Sequence, residues 1–240
     1  MQNRINKEIY LPGSVYQFLT FAKKCGTKDK SVLVAGAGSE EVSKLFLENG
    51  AASVIQIVED EETLLASRLY LKDTKNVSVR MMAFDSTDFF DERFDIVFAQ
   101  ASISNSRRNK IVKEIKRILK PGGYFCVGEN VQLKANAPMF VREIWQASDI
   151  LPLLNRDAAD YYKEKGFEIL YEDDLSSTLK DFYRDSLGLL KEKMNNLSEE
   201  EKAYHKKFLN KVSHESNAYL NLGADKYMGF KILVMKKGER

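Results

Sequence analysis

Hydrophobic residues in this chain follow two spacings. Short unbroken runs, Val32-Leu33-Val34, Val54-Ile55-Gln56-Ile57-Val58 and Ile96-Val97-Phe98, read as buried strands. Between them apolar positions recur every three or four residues. Val42, Leu45 and Phe46 do so after the first run, and Ile111, Val112, Ile115 and Leu119 within a predicted helix over 107–119. Segments 76–82, 124–127, 167–171 and 229–235 read as the remaining strands, and 131–165 as mostly helical. Strands alternating with helices predict an α/β fold with a parallel, Rossmann-like sheet and right-handed crossovers.

Two stretches stand outside this alternation. Residues 1–30 precede the first strand and read as an N-terminal cap segment. There Pro12-Gly13 marks a turn, Ser14 caps a helix to about residue 25, and Val15, Phe18, Leu19 and Ala22 form its apolar face. Within the main domain, 31–240, the connection over about 173–228 is too long for a loop. Leu179, Phe182, Tyr183, Leu187, Leu190 and Met194 give it one helical face. Ser198 with Glu201 makes a capping box for a second helix, whose face continues through Tyr204, Phe208 and Val212. A helical hairpin inserted between the last two strands reads as a lid over a binding edge, or alternatively as a dimerisation arm that would make a homodimer.

The candidate chemistry gathers where the strands end. The first strand runs into Gly36-Ala37-Gly38, where a Cβ would keep a ligand away from the backbone amides. Glu40 and Glu41 suit the positive end of the following helix but would oppose a dinucleotide pyrophosphate there, and Glu41 replaces the third glycine of that fingerprint. S-adenosylmethionine, with a sulfonium and an ammonium and no phosphate, is therefore favoured over NAD. The second strand ends in Glu59-Asp60-Glu61-Glu62, and Glu59 stands about twenty residues beyond the glycines, where a carboxylate can hold both ribose hydroxyls. Asp85 and Ser86 end the third strand and suit an adenine edge; Gln100 and Glu129 end the fourth and fifth. All these ends share one edge of a parallel sheet, where ligands bind. Tyr10 and Tyr16 lie near the N-terminal turn and could cover a ligand or only pack.

The 240-residue chain carries 37 basic and 35 acidic residues, a net charge of +2. That balance gives no support to a nucleic-acid or membrane surface as main partner, and the basic stripe Arg108, Lys110, Lys113, Lys116 and Arg117 reads as a solvated helix face. Cys25 and Cys126 read as reduced core thiols, no apolar run is long enough to span a bilayer, and a cytoplasmic location is expected. His205 and His214 have no neighbouring cysteine, so no metal site is expected.

The order VLVAGAG, acidic strand end, FDIVFA, ILKPGG resembles the class I S-adenosylmethionine-dependent methyltransferases. The resemblance is good over 31–129 and loose on the flanks. It implies a seven-stranded methyltransferase sheet with the last strand antiparallel beside the sixth. It also implies S-adenosylmethionine as cofactor, with Gly36, Ala37 and Gly38 near its methionine portion, Glu59 and the adjoining Asp60 at the ribose, Asp85 and Ser86 at adenine, and Gln100 beside it. Three positions depart from the family pattern: Val34 replaces an acidic residue, Glu40 replaces the last glycine, and Glu59 falls one position late. The expected partner is a small-molecule methyl acceptor taking the group on nitrogen or oxygen, enclosed by the hairpin and the N-terminal segment, with Tyr10, Tyr16, Glu129 and Tyr183 as substrate contacts. Aromatic side chains suit an aromatic or cationic acceptor. No catalytic side chain is assigned. The alternatives are an RNA or protein methyltransferase and a non-catalytic binding protein on this fold.

Overall fold

The apolar runs become the central strands because they are covered on both faces. In the computed structural model, which describes residues 9–238, β1 (Ser31–Ala35) is flanked by β2 (Ser53–Val58) and β4 (Phe94–Gln100). β3 (Val77–Met81) pairs with β2, and β5 (Leu119–Gln132) with β4, all in parallel. β8 (Met228–Lys237) then runs antiparallel between β5 and β7 (Phe167–Asp174). The order is β3-β2-β1-β4-β5-β8-β7, and the two-residue β6 (Leu153–Leu154), which the hydrophobic pattern does not reveal, pairs in parallel with the last residues of β5. The expected sheet with its antiparallel last strand is present.

Each face of the sheet has its own core. On one face α1 (Ser14–Lys24) and α2 (Glu40–Glu48) meet through Phe18, Phe21 and Phe46, which pack edge-on or tilted against one another and Phe98 at centroid distances of 5.0–6.1 Å. Each such pair adds about 0.5–1.5 kcal/mol beyond area burial. On the other face α4 (Arg108–Ile118) buries Ile111, Val112, Ile115 and Ile118 with Phe94, Phe125 and Tyr162.

The FDIV and LKPGG segments prove to be partners. Asp95 accepts the Ser31 backbone N–H at 2.9 Å and pairs with Lys120 at 2.9 Å, so it joins the starts of three neighbouring strands. β5 begins at Leu119 rather than at Tyr124: the Lys120–Gly123 turn is absorbed as an irregularity in its pairing with β4.

Between β7 and β8 stand α7 (Thr178–Asn196) and α8 (Glu199–Asn221), and the Ser198 capping box is formed at the junction. Leu179, Tyr183, Ala218 and Tyr219 share one buried cluster, with Tyr183 and Tyr219 stacked at 4.5 Å, and Leu190 and Leu209 are buried further along the helices. The buried face of α8 is thus not the expected one: Tyr204 and Phe208 are 83% and 63% exposed. The helix carries apolar residues on two sides, and the side that is buried is that of Leu209, Ala218 and Tyr219.

Candidate functional site

The carboxyl ends of β1–β5 form the edge on which the candidate residues converge. Gly36 (φ 139°) and Gly38 (φ 72°) take backbone conformations open to glycine. A Cβ on Gly36 would lie 2.9 Å from Ser102 Cβ, so the missing side chain lets the β4–α4 loop close against the turn. Ser102 Oγ fixes that contact by donating to the Ala35 carbonyl at 2.6 Å. Ala101, just before it, has φ 55°, a strained conformation for a residue with a side chain. Leu11 of the N-terminal segment lies beside Gly38. Ser39 is buried, and its Oγ has no hydrogen-bond partner among the described residues.

The two acids after the glycines are both engaged. Glu40 accepts from Gln56 Nε2 at 3.1 Å and Ser67 Oγ at 2.5 Å, joining α2 to β2 and to α3 (Glu61–Tyr70). Glu41 pairs with Lys44 and accepts from the Tyr70 hydroxyl, whose pKa is pushed up to about 12 by that bond, by burial and by the neighbouring charges.

Glu59 and Asp85 come together at adjacent strand ends. Glu59 Oε1 accepts the Phe84 backbone N–H at 2.9 Å. Arg107 bridges the two acids, its Nη2 2.5 Å from Glu59 Oε2 and its Nη1 2.9 Å from Asp85 Oδ1. The hydrogen bond to Glu59 raises the guanidinium pKa first; burial opposes it, and the charges of Glu59 and Asp85 add to the rise. Asp60 stands beside them as the N-cap of α3, accepting Thr63 N–H and Oγ1–H, and these bonds hold its carboxyl below the usual range. Ser86 is exposed in the following turn, which Glu114 holds through Thr87 N–H and Oγ1–H at 2.9 and 2.5 Å.

Gln100 is buried and faces the N-terminal segment. Its Nε2 donates to the carbonyls of Pro12 and Ser14 at 2.8 and 2.9 Å. Its Oε1 is buried with no partner among the described residues. Gly13 packs so tightly here that a Cβ would lie 2.6 Å from Phe230. Gly13 N–H donates to Thr178 Oγ1 at 3.0 Å, which ties the N-terminal turn to the hairpin root.

Two expected substrate contacts are packed inside instead. Glu129 has no exposed surface: it meets Arg108 Nε at 3.1 Å and Nη2 at 3.2 Å, and accepts from Ser104 Oγ and the Tyr162 hydroxyl. Burial, then the Glu129 charge, raises the Tyr162 pKa well above its ordinary value. As the chain stands, Glu129 braces the interior, because the loop after β4 and α6 (Ala158–Glu164) close over it. Tyr183 belongs to the hairpin core. Tyr10 and Tyr16 are 47% and 57% exposed and line a small cavity of about 70 Å³ with Phe182, Asp181 and Asp185 of α7.

The hairpin reaches across the edge. At 1.5 Å per residue the 19-residue α7 is about 28 Å long, whereas β8 and β2 are separated by about 19 Å of sheet. Its far end shares a cavity of about 950 Å³ with Glu62 and Thr63 of α3, lined also by Leu189, Tyr204, His205 and Phe208.

Residues 33–127 match the family model described as a methyltransferase domain. Over that stretch the chain is similar to methyltransferase domains, and its fold is shared by solved structures. The match takes in the glycine turn, Glu59, Asp85 and Gln100. The fold extends beyond it. The structure of the cyclase SpnF is 18% identical with TM-score 0.76, the likeness covering 94% of this chain and 80% of that one. Phosphoethanolamine N-methyltransferase 2 of Haemonchus contortus in complex with S-adenosyl-L-methionine is 17% identical with TM-score 0.75, over 95% and 54%. Geranyl diphosphate C-methyltransferase of Streptomyces coelicolor A3(2) is 11% identical with TM-score 0.69, over 92% and 77%. No curated protein sequence matches the chain. Sequence reasoning missed Arg107, Ser39, Ser102 and Thr178 around this edge. Only Arg107 left a signal: it stands at the positive end of α4 in a first turn that has no acid.

Proposed function

We propose that the protein is an S-adenosylmethionine-dependent methyltransferase that places the methyl group on a nitrogen or oxygen atom of a small molecule held beneath the hairpin. What supports this reading is the convergence of Gly36, Glu59 and Asp85 at one sheet edge, together with a hairpin whose far end shares a cavity with α3. The residues present fit the cofactor. A Cβ would fill the turn at Gly36, the buried Ser39 Oγ beside it lacks a partner among the described residues, and two carboxylates stand at adjacent strand ends.

In this reading Gly36, Ala37 and Gly38 hold the methionine portion through backbone groups. Glu59 accepts from the ribose hydroxyls, and Asp85 and Ser86 read adenine. Asp60 acts by fixing the start of α3, and Gln100 by holding the N-terminal turn against the β4 end. The bound cofactor supplies an electrophilic sulfonium methyl. The chain's own work is alignment and exclusion of water, and positioning of this kind can lower a barrier by about 7–11 kcal/mol. Residues 9–16 and the hairpin act as the cover. Tyr10, Tyr16 and Phe182 with Asp181 and Asp185 suit a compact amine, whose cation an aromatic face and a carboxylate both attract.

The test is turnover. Purified protein with S-adenosylmethionine and a metabolite panel rich in amines should release S-adenosylhomocysteine together with a product 14 mass units heavier than its acceptor. Uptake of the cofactor with no product from small molecules, but labelling of RNA or protein, would move the reading to a macromolecular acceptor. A protein that binds the cofactor and methylates nothing would be a binding protein on this fold, a reading to which the cyclase neighbour gives some weight.

A further inference from the structure

The first turn of α4 carries Arg107 and Arg108 side by side, with no acidic residue to offset them. Two cations at the positive end of a helix are locally unfavourable, so their anions must come from elsewhere. Arg108 finds Glu129 in the interior and the Leu151 carbonyl at 2.5 Å. That anchor fixes how α4 begins, and it leaves Arg107 on the outer side, across Glu59 and Asp85.

The consequence lies in which oxygens are taken. Glu59 Oε1 is occupied by the Phe84 N–H, and the remaining oxygen, Oε2, is the one Arg107 holds. Asp85 Oδ1 is held by the same guanidinium. We propose that Arg107 is an affinity-setting residue of the cofactor site: it competes with the adenosine portion for Glu59 and Asp85, and binding requires it to let go. The inference rests on the cofactor reading above. The neutral hydroxyls of a ribose must displace a charged, two-pronged partner, so the site is tuned to release its cofactor product as well as to take up the donor. The pair is about one-third exposed on either side, Arg107 at 37% and Glu59 at 30%, which keeps the exchange within reach of solvent ions.

The experiment titrates S-adenosylhomocysteine calorimetrically into wild type, Arg107→Met and Arg107→Lys at low and high salt. Arg107→Met keeps the stem and removes the fork. It should bind about three- to tenfold tighter, the scale of one or two partly exposed ion pairs. Arg107→Lys keeps the charge without the two-pronged geometry and should fall between. Salt should tighten binding to wild type by screening the competitor and leave Arg107→Met unchanged. Equal or weaker binding by Arg107→Met overturns the proposal and makes Arg107 a bystander or a direct ligand. Binding by wild type with no gain in the variant overturns this inference alone. No binding by any of the three proteins removes the cofactor reading and this inference together.

Discussion

Arg107 and Arg108 are neighbours in the chain, yet they serve two unlike regions. At the rim, Arg107 spans two carboxylates that solvent also reaches. In the interior, Arg108 meets one carboxylate that solvent does not reach and that is shared with a serine and a tyrosine. The contrast teaches that the same ion-pair chemistry is structural or exchangeable according to burial. A buried pair that loses one member strands a charge in low dielectric, whereas an exposed pair that loses one member is rescued by water.

Breaking the interior pair should therefore have the largest effect. Arg108→Met leaves Glu129 buried with only hydroxyl partners, and unfolding measured by denaturant should show a loss of about 3–5 kcal/mol. In a thermal melt that corresponds to roughly 6–20 °C for a domain of this size. A loss within 1 kcal/mol would mean that Ser104 and Tyr162 alone satisfy Glu129, and the contrast would fail.

At the rim the expectation reverses. Glu59→Ala should cost about 1 kcal/mol of stability, chiefly from leaving the Phe84 N–H without its acceptor. It should also abolish the stabilisation that excess S-adenosylhomocysteine gives the wild type, a shift expected near 2.7 kcal/mol at a hundredfold excess over Kd. Stability lost without loss of the ligand shift would make Glu59 a structural residue like Glu129.

The smallest effect belongs to the turn carrying Asp85 and Ser86, which Glu114 and Arg117 pin through Thr87. Burial raises the Glu114 pKa, but the bonds from Arg117 and Thr87 outweigh it, so the carboxyl sits below its ordinary value of 4.5. A depressed carboxylate contributes stability that is present above the unfolded value and lost as pH falls through the folded one. Melting temperatures followed below pH 4.5 should fall more steeply in wild type than in Glu114→Gln, by roughly 2–4 °C. Parallel curves would assign the acid sensitivity elsewhere.

These differences also explain what could be read from the chain. The strands, the glycine turn and the hairpin were legible because each is written in a local period or a fixed short spacing. Glu59 and Asp85 were legible as strand ends. Their partner was not, since Arg107 lies 48 residues beyond Glu59 and sits next to a basic stripe that reads as solvated surface. Glu129 looked the same as the other strand-end acids; only tertiary closure by α6 and the β4–α4 loop separates it from them. The face of α8 could not be chosen from periodicity, because apolar residues line two of its sides and the partner helix alone decides between them.

Both roots of the hairpin are on the β7–β8 side of the sheet, and its far end stands over α3. It is therefore a cantilever. A rotation of only about 5° at the roots displaces the end of a 19-residue helix by roughly 2.5 Å, about the width of a water molecule. Any small repacking where Gly13 meets Thr178 would thus be magnified at the far end of the hairpin, well away from the contact itself.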